Sequence, residues 1–216
     1  MDLTELDPPA AAPTGAALPA AIPADLRRAR AAVTAVFFAN GVLLSNWVPR
    51  IPTVQDDLGL SEGRLGLALL AVAVGALAAM PMVGGLIERF GSRPMTILNL
   101  GLLSLALPLI GLAGGFWQLS LALAALGAAN GGLDVAMNAQ GVAVERRYGR
   151  PILSSFHAAF SFGGLSGAVT GGLAAAAGID PLPHFLVVAA VAAIGGLGAS
   201  RWLLPAAVDR RPDRAP

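Results

Sequence analysis

Residues 84–94 of this chain read GGLIERFGSRP, and residues 171–181 read GGLAAAAGIDP. Both stretches hold a Gly-Gly-Leu triplet, a glycine seven positions after the first glycine and a proline three positions later, so the pattern returns after 87 residues (171 minus 84). A second match has an offset of 90 residues, because Ala-Asn-Gly stands at 39–41 and again at 129–131. Together the two matches indicate that the first half of the chain is repeated in the second half.

The composition is typical of a membrane protein. Hydrophobic residues make up 56% of the 216 residues and charged residues only 12%, whereas a soluble domain carries roughly 25% charged residues. The absence of cysteine excludes disulfides, thiolate metal sites and thiol nucleophiles. No basic patch, Walker loop or dinucleotide fingerprint occurs, so we expect no nucleic-acid partner, no cofactor and no metal.

Six segments are long and apolar enough to cross a bilayer, which takes about 20 residues. They lie near Ala31–Val48, Leu65–Ile87, Met95–Ala113, Phe116–Val144, Ile152–Ala177 and Phe185–Leu204. Glycine and proline clusters separate them, and the connections are short, so consecutive helices are expected to be antiparallel neighbours. The sequence therefore predicts an all-α membrane protein of six transmembrane helices.

The arginines predict the orientation of the bundle. With the N-terminus inside, the cytoplasmic regions hold twelve of the fourteen basic residues, and the outer side keeps only Arg50 and Arg64. The twelve are Arg27, Arg28, Arg30, Arg89, Arg93, Arg146, Arg147, Arg150, Arg201, Arg210, Arg211 and Arg214. This positive-inside bias predicts that both termini are cytoplasmic.

The two ends of the chain differ from the apolar middle. The first 25 residues are rich in Ala and Pro and lack the basic region and apolar run of a secretory signal. We predict a disordered cytoplasmic tail at 1–25, a six-helix transmembrane bundle at 26–205, and a cytoplasmic tail or the start of a central linker at 206–216.

The loop between the second and third spans resembles the signature loop of major facilitator transporters. That pattern is a glycine, three residues, an acid, a base, any residue, a glycine and two bases, and it is filled here by Gly84, Glu88, Arg89, Gly91 and Arg93. Glu88 stands where Asp is usual, and Ser92 replaces a base. The resemblance implies that the loop locks one state of a transport cycle against another six-helix half.

The resemblance also gives the internal repeat a meaning. Each six-helix half of a major facilitator transporter is a 3+3 inverted repeat. The offsets found here pair span one with span four and span two with span five. Because three is an odd number of spans, the second unit must lie upside down relative to the first.

A narrower resemblance is to bacterial transporters near the fucose permeases. It is carried by Asn40-Gly41, Asn46-Trp47, Arg50-Ile51-Pro52, Asp134–Asn138 and Phe156-His157. It covers nearly all of residues 30–204 and implies a multi-pass protein of the bacterial inner (plasma) membrane, without naming a substrate.

Polar residues deep in a span are the candidates for the functional site. Asp134 is the one acid well inside a span, where a charge costs about 2.5–3.5 kcal/mol on insertion scales. Asn130 and Asn138 lie four residues to either side, so the three share one helical face along about 12 Å. The family resemblance implies that this face lines a central cavity. The alternative for the asparagines is interhelical hydrogen bonding.

Span one carries a matching set, with Asn40 in mid-span and Asn46 and Trp47 further out. Trp47 is expected in an aromatic belt at the outer boundary. Amide side chains beside an aromatic face suit a sugar or polyol, and they equally suit other small polar solutes.

A proton pathway is the remaining hypothesis. His157 is expected about two turns into span five, and histidine changes its charge near neutral pH. Glu145 ends span four and is expected to approach His157 across the short loop. Asp134, Glu145 and His157 would then relay protons during transport, although His157 equally suits a role in helix packing.

Three further readings remain open at this stage. The glycines Gly163, Gly167 and Gly171 recur every four residues and predict close helix packing on span five. Residues 164–167 read GLSG and fit the nucleophile pattern of intramembrane serine proteases, with Ser166 as nucleophile, but His184 lies at the outer mouth of span six. The chain is alternatively a fragment without transport activity, or a half-transporter completed by a separate chain or a second copy of itself.

Overall fold

The computed structural model describes residues 22–208, and it is all-helical over this range. The seven α-helices are α1 Ala24–Asn46, α2 Ile51–Asp57, α3 Glu62–Phe90, α4 Ser92–Gly111, α5 Phe116–Tyr148, α6 Leu153–Ala176 and α7 Pro181–Ala199. Short 3₁₀ turns lie at Val48–Arg50, Ser200–Trp202 and Ala206–Val208. The parts of the predicted tails at 1–21 and 209–216 lie outside the described residues.

Within residues 22–208, six helices are long and apolar enough to span a membrane, which confirms the predicted number. The first span is longer than predicted, because α1, a 3₁₀ turn and the short helix α2 form one 34-residue stretch, Ala24–Asp57. The helix α2 was not predicted from the sequence. It begins at Ile51, with Pro52 in its first turn. A proline is tolerated there because the first turn of a helix needs no N–H donor from it.

Glycines follow the ends of three helices, at clusters of glycine and proline that were predicted to separate the spans. Gly91 follows α3 with φ of 87°, Gly149 follows α5 with φ of 69°, and Gly178 follows α6 with φ of 68°. These left-handed conformations favour glycine because a Cβ would clash with the backbone. The amide N–H of Gly91 donates to the Ile87 carbonyl at 2.8 Å and closes the last turn of α3.

The helices pack as two inverted units related by a pseudo-two-fold axis. The most intimate pairs are α3 with α5 and α1 with α6, followed by α4 with α5, α4 with α7 and α1 with α7. Exchanging α1 with α5, α3 with α6 and α4 with α7 converts each of these pairs into another pair of the set or into itself. The packing therefore has the symmetry of the 3+3 inverted repeat that the resemblance to a major facilitator half implied.

Glycine contacts show the same symmetry at the level of residues. On Gly131 of α5, an added Cβ would lie 2.9 Å from the Ala76 Cα of α3. Subtracting 90 from 131 and adding 87 to 76 gives the pair Gly41 and Gly163, and a Cβ on Gly41 would lie 3.1 Å from the Gly163 backbone carbon. The repeat predicted from the sequence thus corresponds to equivalent helix crossings.

The predicted close packing of the α6 glycines is confirmed. Side chains on Gly163, Gly167 and Gly171 would overlap the backbone of α1 at Phe38, Val42 and Asn46, respectively. Small residues at this spacing let two helix backbones approach. The resulting α1–α6 pair fixes the position of the polar groups on both helices.

Candidate functional site

The three residues of the polar stripe, Asn130, Asp134 and Asn138, all lie on α5, and the last two bond to each other. The Asn138 Nδ2 donates to the Asp134 Oδ1 at 3.2 Å and to the Asp134 backbone carbonyl at 2.8 Å. Both side chains are half-buried, on a face of α5 that the other described helices leave open. The two hydrogen bonds hold the Asn138 amide and the Asp134 carboxylate together on this face of α5.

His157 lies in the second turn of α6, exposed on this open face. Its ring is edge-on to Phe37 of α1, with centroids 5.4 Å apart, and its Nδ1 lies 3.1 Å from the Leu153 carbonyl. Asp134 and His157 lie close enough for an electrostatic interaction across the gap between α5 and α6. The structure thus brings together two of the three residues of the expected relay.

The Glu145 side chain caps the start of α6. Its Oε2 accepts the backbone N–H groups of Ile152 and Leu153 at 2.7 and 2.6 Å. These bonds satisfy two of the donors that the first turn of a helix leaves without partners. The expected approach to His157 is not among the contacts of the described residues.

The three other asparagines among the candidates differ in burial: Asn40 and Asn46 are buried, whereas Asn130 is only partly buried. The Asn40 Nδ2 donates to the Met137 Sδ at 3.7 Å, and the Asn46 Nδ2 donates to the Thr170 Oγ1 at 3.0 Å. The Oδ1 atoms of Asn40, Asn46 and Asn130 have no hydrogen-bond partner among the described residues. Buried unpaired acceptors are costly, so water or solute is expected at these positions.

Trp47 does not lie in an aromatic belt, and that expectation is wrong. Its side chain is only 5% exposed and belongs to the apolar core together with Val54 and Leu60. The short helix α2 continues the chain past this position, which was predicted to end the span, and its Val54 belongs to the same core.

A cavity of about 460 Å³ extends the stripe towards the end of the bundle at which α3 and α5 terminate. Ile87, Asn138, Ala139, Val142, Ala143, Arg146 and Arg147 line it. We call this end the arginine-rich end. Asn138 therefore lies between Asp134 and the part of the cavity that Arg146 and Arg147 line.

The signature loop lies at the same arginine-rich end. Gly84, Glu88 and Arg89 lie in the last two turns of α3, and Arg93 lies in the first turn of α4. The Arg93 Nη2 donates to the Arg201 carbonyl at 3.1 Å, and the Arg89 guanidinium lies 5.1 Å from the centroid of the Phe90 ring. A Cβ on Gly84 would meet nothing within 4 Å, so this glycine faces open space.

Two polar residues were not identified from the sequence: Gln140, which is buried on α5, and Thr170, which is exposed on α6. Thr170 binds Asn46, while Gln140 binds both the signature loop and the chain after α7. Extending the repeat offset of 90 would have found Gln140, because it aligns with Arg50, which is also buried.

The protease arrangement is not formed. The Ser166 Oγ donates to the Phe162 carbonyl of its own helix, and His184 lies buried at the start of α7. Since α6 packs mainly on α1 while α7 packs on α4 and α1, the two residues belong to different contact surfaces.

Comparison with known proteins agrees with this geometry. The model of the Major Facilitator Superfamily matches residues 33–216. An uncharacterized MFS-type transporter of Yersinia pestis is 38% identical over 170 residues, which are 78% of this chain and 44% of the relative. An uncharacterized transporter of Sinorhizobium fredii is 36% identical over 166 residues, 76% of this chain and 43% of the relative.

The membrane protein MosC of Rhizobium meliloti is 34% identical over 178 residues, 82% of this chain and 42% of the relative. The chain thus spans less than half the length of each of these relatives. A family of transporters also indicates that the chain is not an enzyme, which excludes the serine-protease alternative. This chain belongs to the major facilitator superfamily.

Proposed function

We propose that the chain is one six-helix half of a secondary active transporter, which moves a small polar solute by alternating access and couples that movement to protons. The observation that carries this proposal is Asp134, a half-buried acid well inside the α5 span whose carboxylate accepts a hydrogen bond from Asn138, with His157 of α6 as its electrostatic neighbour. A membrane-embedded acid beside a histidine is suited to taking up a proton on one side and releasing it on the other.

The solute is proposed to bind along the stripe. Asn138, Asn130 and Asn40 offer amide groups at different depths, and the unpaired carbonyl oxygens of the last two require donors. Hydroxyl groups supply such donors, so a sugar or polyol is the favoured class.

A second six-helix half is proposed to cover the open face. Rows of exposed apolar side chains also lie along α3 and α6. They are Leu67, Leu70, Val74 and Leu77 on α3, and Phe162, Leu165, Val169 and Leu173 on α6. Because the relatives are more than twice as long as the matched region, the missing half is either a further part of the same polypeptide, a separate chain or a second copy.

The mass of the native polypeptide distinguishes these arrangements. A denaturing blot with an antibody to the N-terminal tail is expected to show a band near twice 21.7 kDa if the two halves are covalently joined. A band near 21.7 kDa would require a separate partner chain or a second copy. A lone monomer that moves no solute would support the alternative of a non-transporting fragment.

Location and orientation are part of the proposal. All three relatives are bacterial, and the distribution of the arginines favours a cytoplasmic arginine-rich end. We therefore place the chain in the bacterial inner membrane, with both termini and the signature loop in the cytoplasm.

Asp134→Asn tests the coupling residue directly. The protein, with whatever half completes it, is reconstituted in liposomes that contain a pH-sensitive dye, and L-fucose, D-galactose and mannitol are added in turn. We expect solute-dependent proton movement in the wild type and its loss in Asp134→Asn. Asp57→Asn, the same change at an exposed residue of α2, is the matched control. Coupled proton movement that persists in Asp134→Asn would exclude Asp134.

A further inference from the structure

Gln140 joins three segments of the chain at the arginine-rich end. Its side chain is 1% exposed, and its Nε2 donates to the Ser92 Oγ at 2.7 Å and to the Leu204 carbonyl at 3.1 Å. Its Oε1 accepts the Leu204 N–H at 3.0 Å. One carboxamide on α5 therefore holds both the signature loop and residues 200–208, which we call the post-α7 segment.

The signature loop also contacts the post-α7 segment directly. The Arg93 guanidinium donates to the Arg201 carbonyl. A Cβ on Gly91 would lie 2.6 Å from the Ala206 Cα, so a glycine is needed where the two segments cross. Gln140 thus binds the same two segments that Gly91 and Arg93 of the signature loop bring into contact.

Arg50 makes the corresponding contact at the opposite end of the bundle. It is 2% exposed, and its Nη2 donates to the Ile179 carbonyl in the turn between α6 and α7. The difference between 140 and 50 is 90, and the difference between 179 and 92 is 87, which are the two offsets of the inverted repeat. In each repeat, a buried polar side chain on the first span therefore reaches the connection between the last two helices of the other repeat.

Desolvation explains why these contacts hold. A buried amide or guanidinium without partners is costly, whereas Gln140 pairs both of its N–H groups and its carbonyl oxygen. Undocking the post-α7 segment would break two of these bonds together and leave a polar group in an apolar bundle. The bond to Ser92 further joins that segment to the start of α4.

We propose that Gln140 is the positioning residue of the signature loop, which it fixes by docking the post-α7 segment, and that Arg50 fixes the α6–α7 turn in the same way at the opposite end. The meaning of the loop rests on the proposed transport function, but the docking does not. It can therefore be measured on its own.

The natural absence of cysteine makes the measurement direct. Ala206→Cys is introduced as the single thiol, and its rate of reaction with a maleimide is followed in inside-out membrane vesicles. Gln140→Met, which keeps the size of the side chain and removes all three bonds, is expected to raise the rate about tenfold or more. Tenfold corresponds to about 1.4 kcal/mol, which is within the range for one to three lost hydrogen bonds.

Two companion variants distinguish docking from general loosening. Leu204→Pro removes the N–H that Gln140 accepts without touching α5, and it is expected to raise the rate as well. Gln118→Met, the same change at an exposed position of the same helix, is expected to leave the rate unchanged. An unchanged rate in both Gln140→Met and Leu204→Pro would overturn the proposal, as would an equal rise in Gln118→Met.

The opposite end gives the reciprocal test. With Leu182→Cys as the single thiol, Arg50→Met is expected to raise the labelling rate severalfold, and Gln140→Met is expected to leave it unchanged. If Arg50→Met has no effect there, the assignment of Arg50 fails. Because no solute is needed, a failure of the transport proposal would leave the labelling result standing.

Discussion

The close approach of α1 and α6 predicts a large difference between two glycines of the same helix. A Cβ on Gly167 would lie 2.6 Å from the Val42 carbonyl oxygen and 3.1 Å from the Val42 Cα, whereas a Cβ on Gly172 would meet nothing within 4 Å. Replacing a helical glycine by alanine ordinarily stabilises a helix by about 1 kcal/mol. Overpacking against backbone costs about 1–3 kcal/mol, and only Gly167→Ala incurs it.

The two variants should therefore differ in stability by the overpacking cost. At roughly 2–4 °C per kcal/mol for a chain of this size, Gly167→Ala is expected to melt about 2–12 °C below Gly172→Ala. Purified variants in the same detergent, followed by thermal unfolding of the helical circular dichroism signal, provide the comparison. Equal melting temperatures would refute the reasoning, because they would mean that α1 and α6 are not in backbone contact at Gly167.

Two more predictions concern the polar contacts around the site. Glu145→Ala is expected to destabilise the bundle by about 1–3 kcal/mol, because two backbone N–H groups at the start of α6 lose their acceptor. The loss should appear as a lower melting temperature. Glu62→Ala, at an exposed residue of α3, is the control and should lower the melting temperature much less. Asn46→Ala and Thr170→Val should each be destabilising, and their effects should be clearly less than additive in the double variant because one 3.0 Å hydrogen bond joins them. Additive effects would show that this bond contributes nothing.

Most of the fold was predictable because lipid imposes strong rules on sequence. A spanning helix must satisfy all of its backbone hydrogen bonds within the helix, because lipid offers no partners. The six apolar runs and the glycines at 91, 149 and 178 therefore marked the helices correctly. The offsets of 87 and 90 predicted the pairing of helices, since equivalent crossings need small residues at equivalent positions. The helix α2 was missed because its seven residues, with a proline in the first turn, have no apolar run of their own.

The candidate site was predictable in its composition and less so in its geometry. Asp134 and Asn138 were identified as neighbours because four residues make nearly one helical turn. The capping role of Glu145 was not, because it depends on how the chain between α5 and α6 folds back. Trp47 was placed in a belt for a similar reason, since nothing in the local sequence indicates that its side chain is buried in the apolar core.

The sequence by itself determined the solvent, the number of helices and the inverted repeat, because these follow from runs and spacings that every helix in lipid must obey. Only the tertiary structure decided which polar groups meet. Asn46 meets Thr170, and Gln140 binds Ser92 and Leu204 across 48 and 64 residues of chain. Such pairings depend on the rotation and depth of each helix in the bundle. Those are set by the packing of whole helix faces, and no local pattern of residues encodes them.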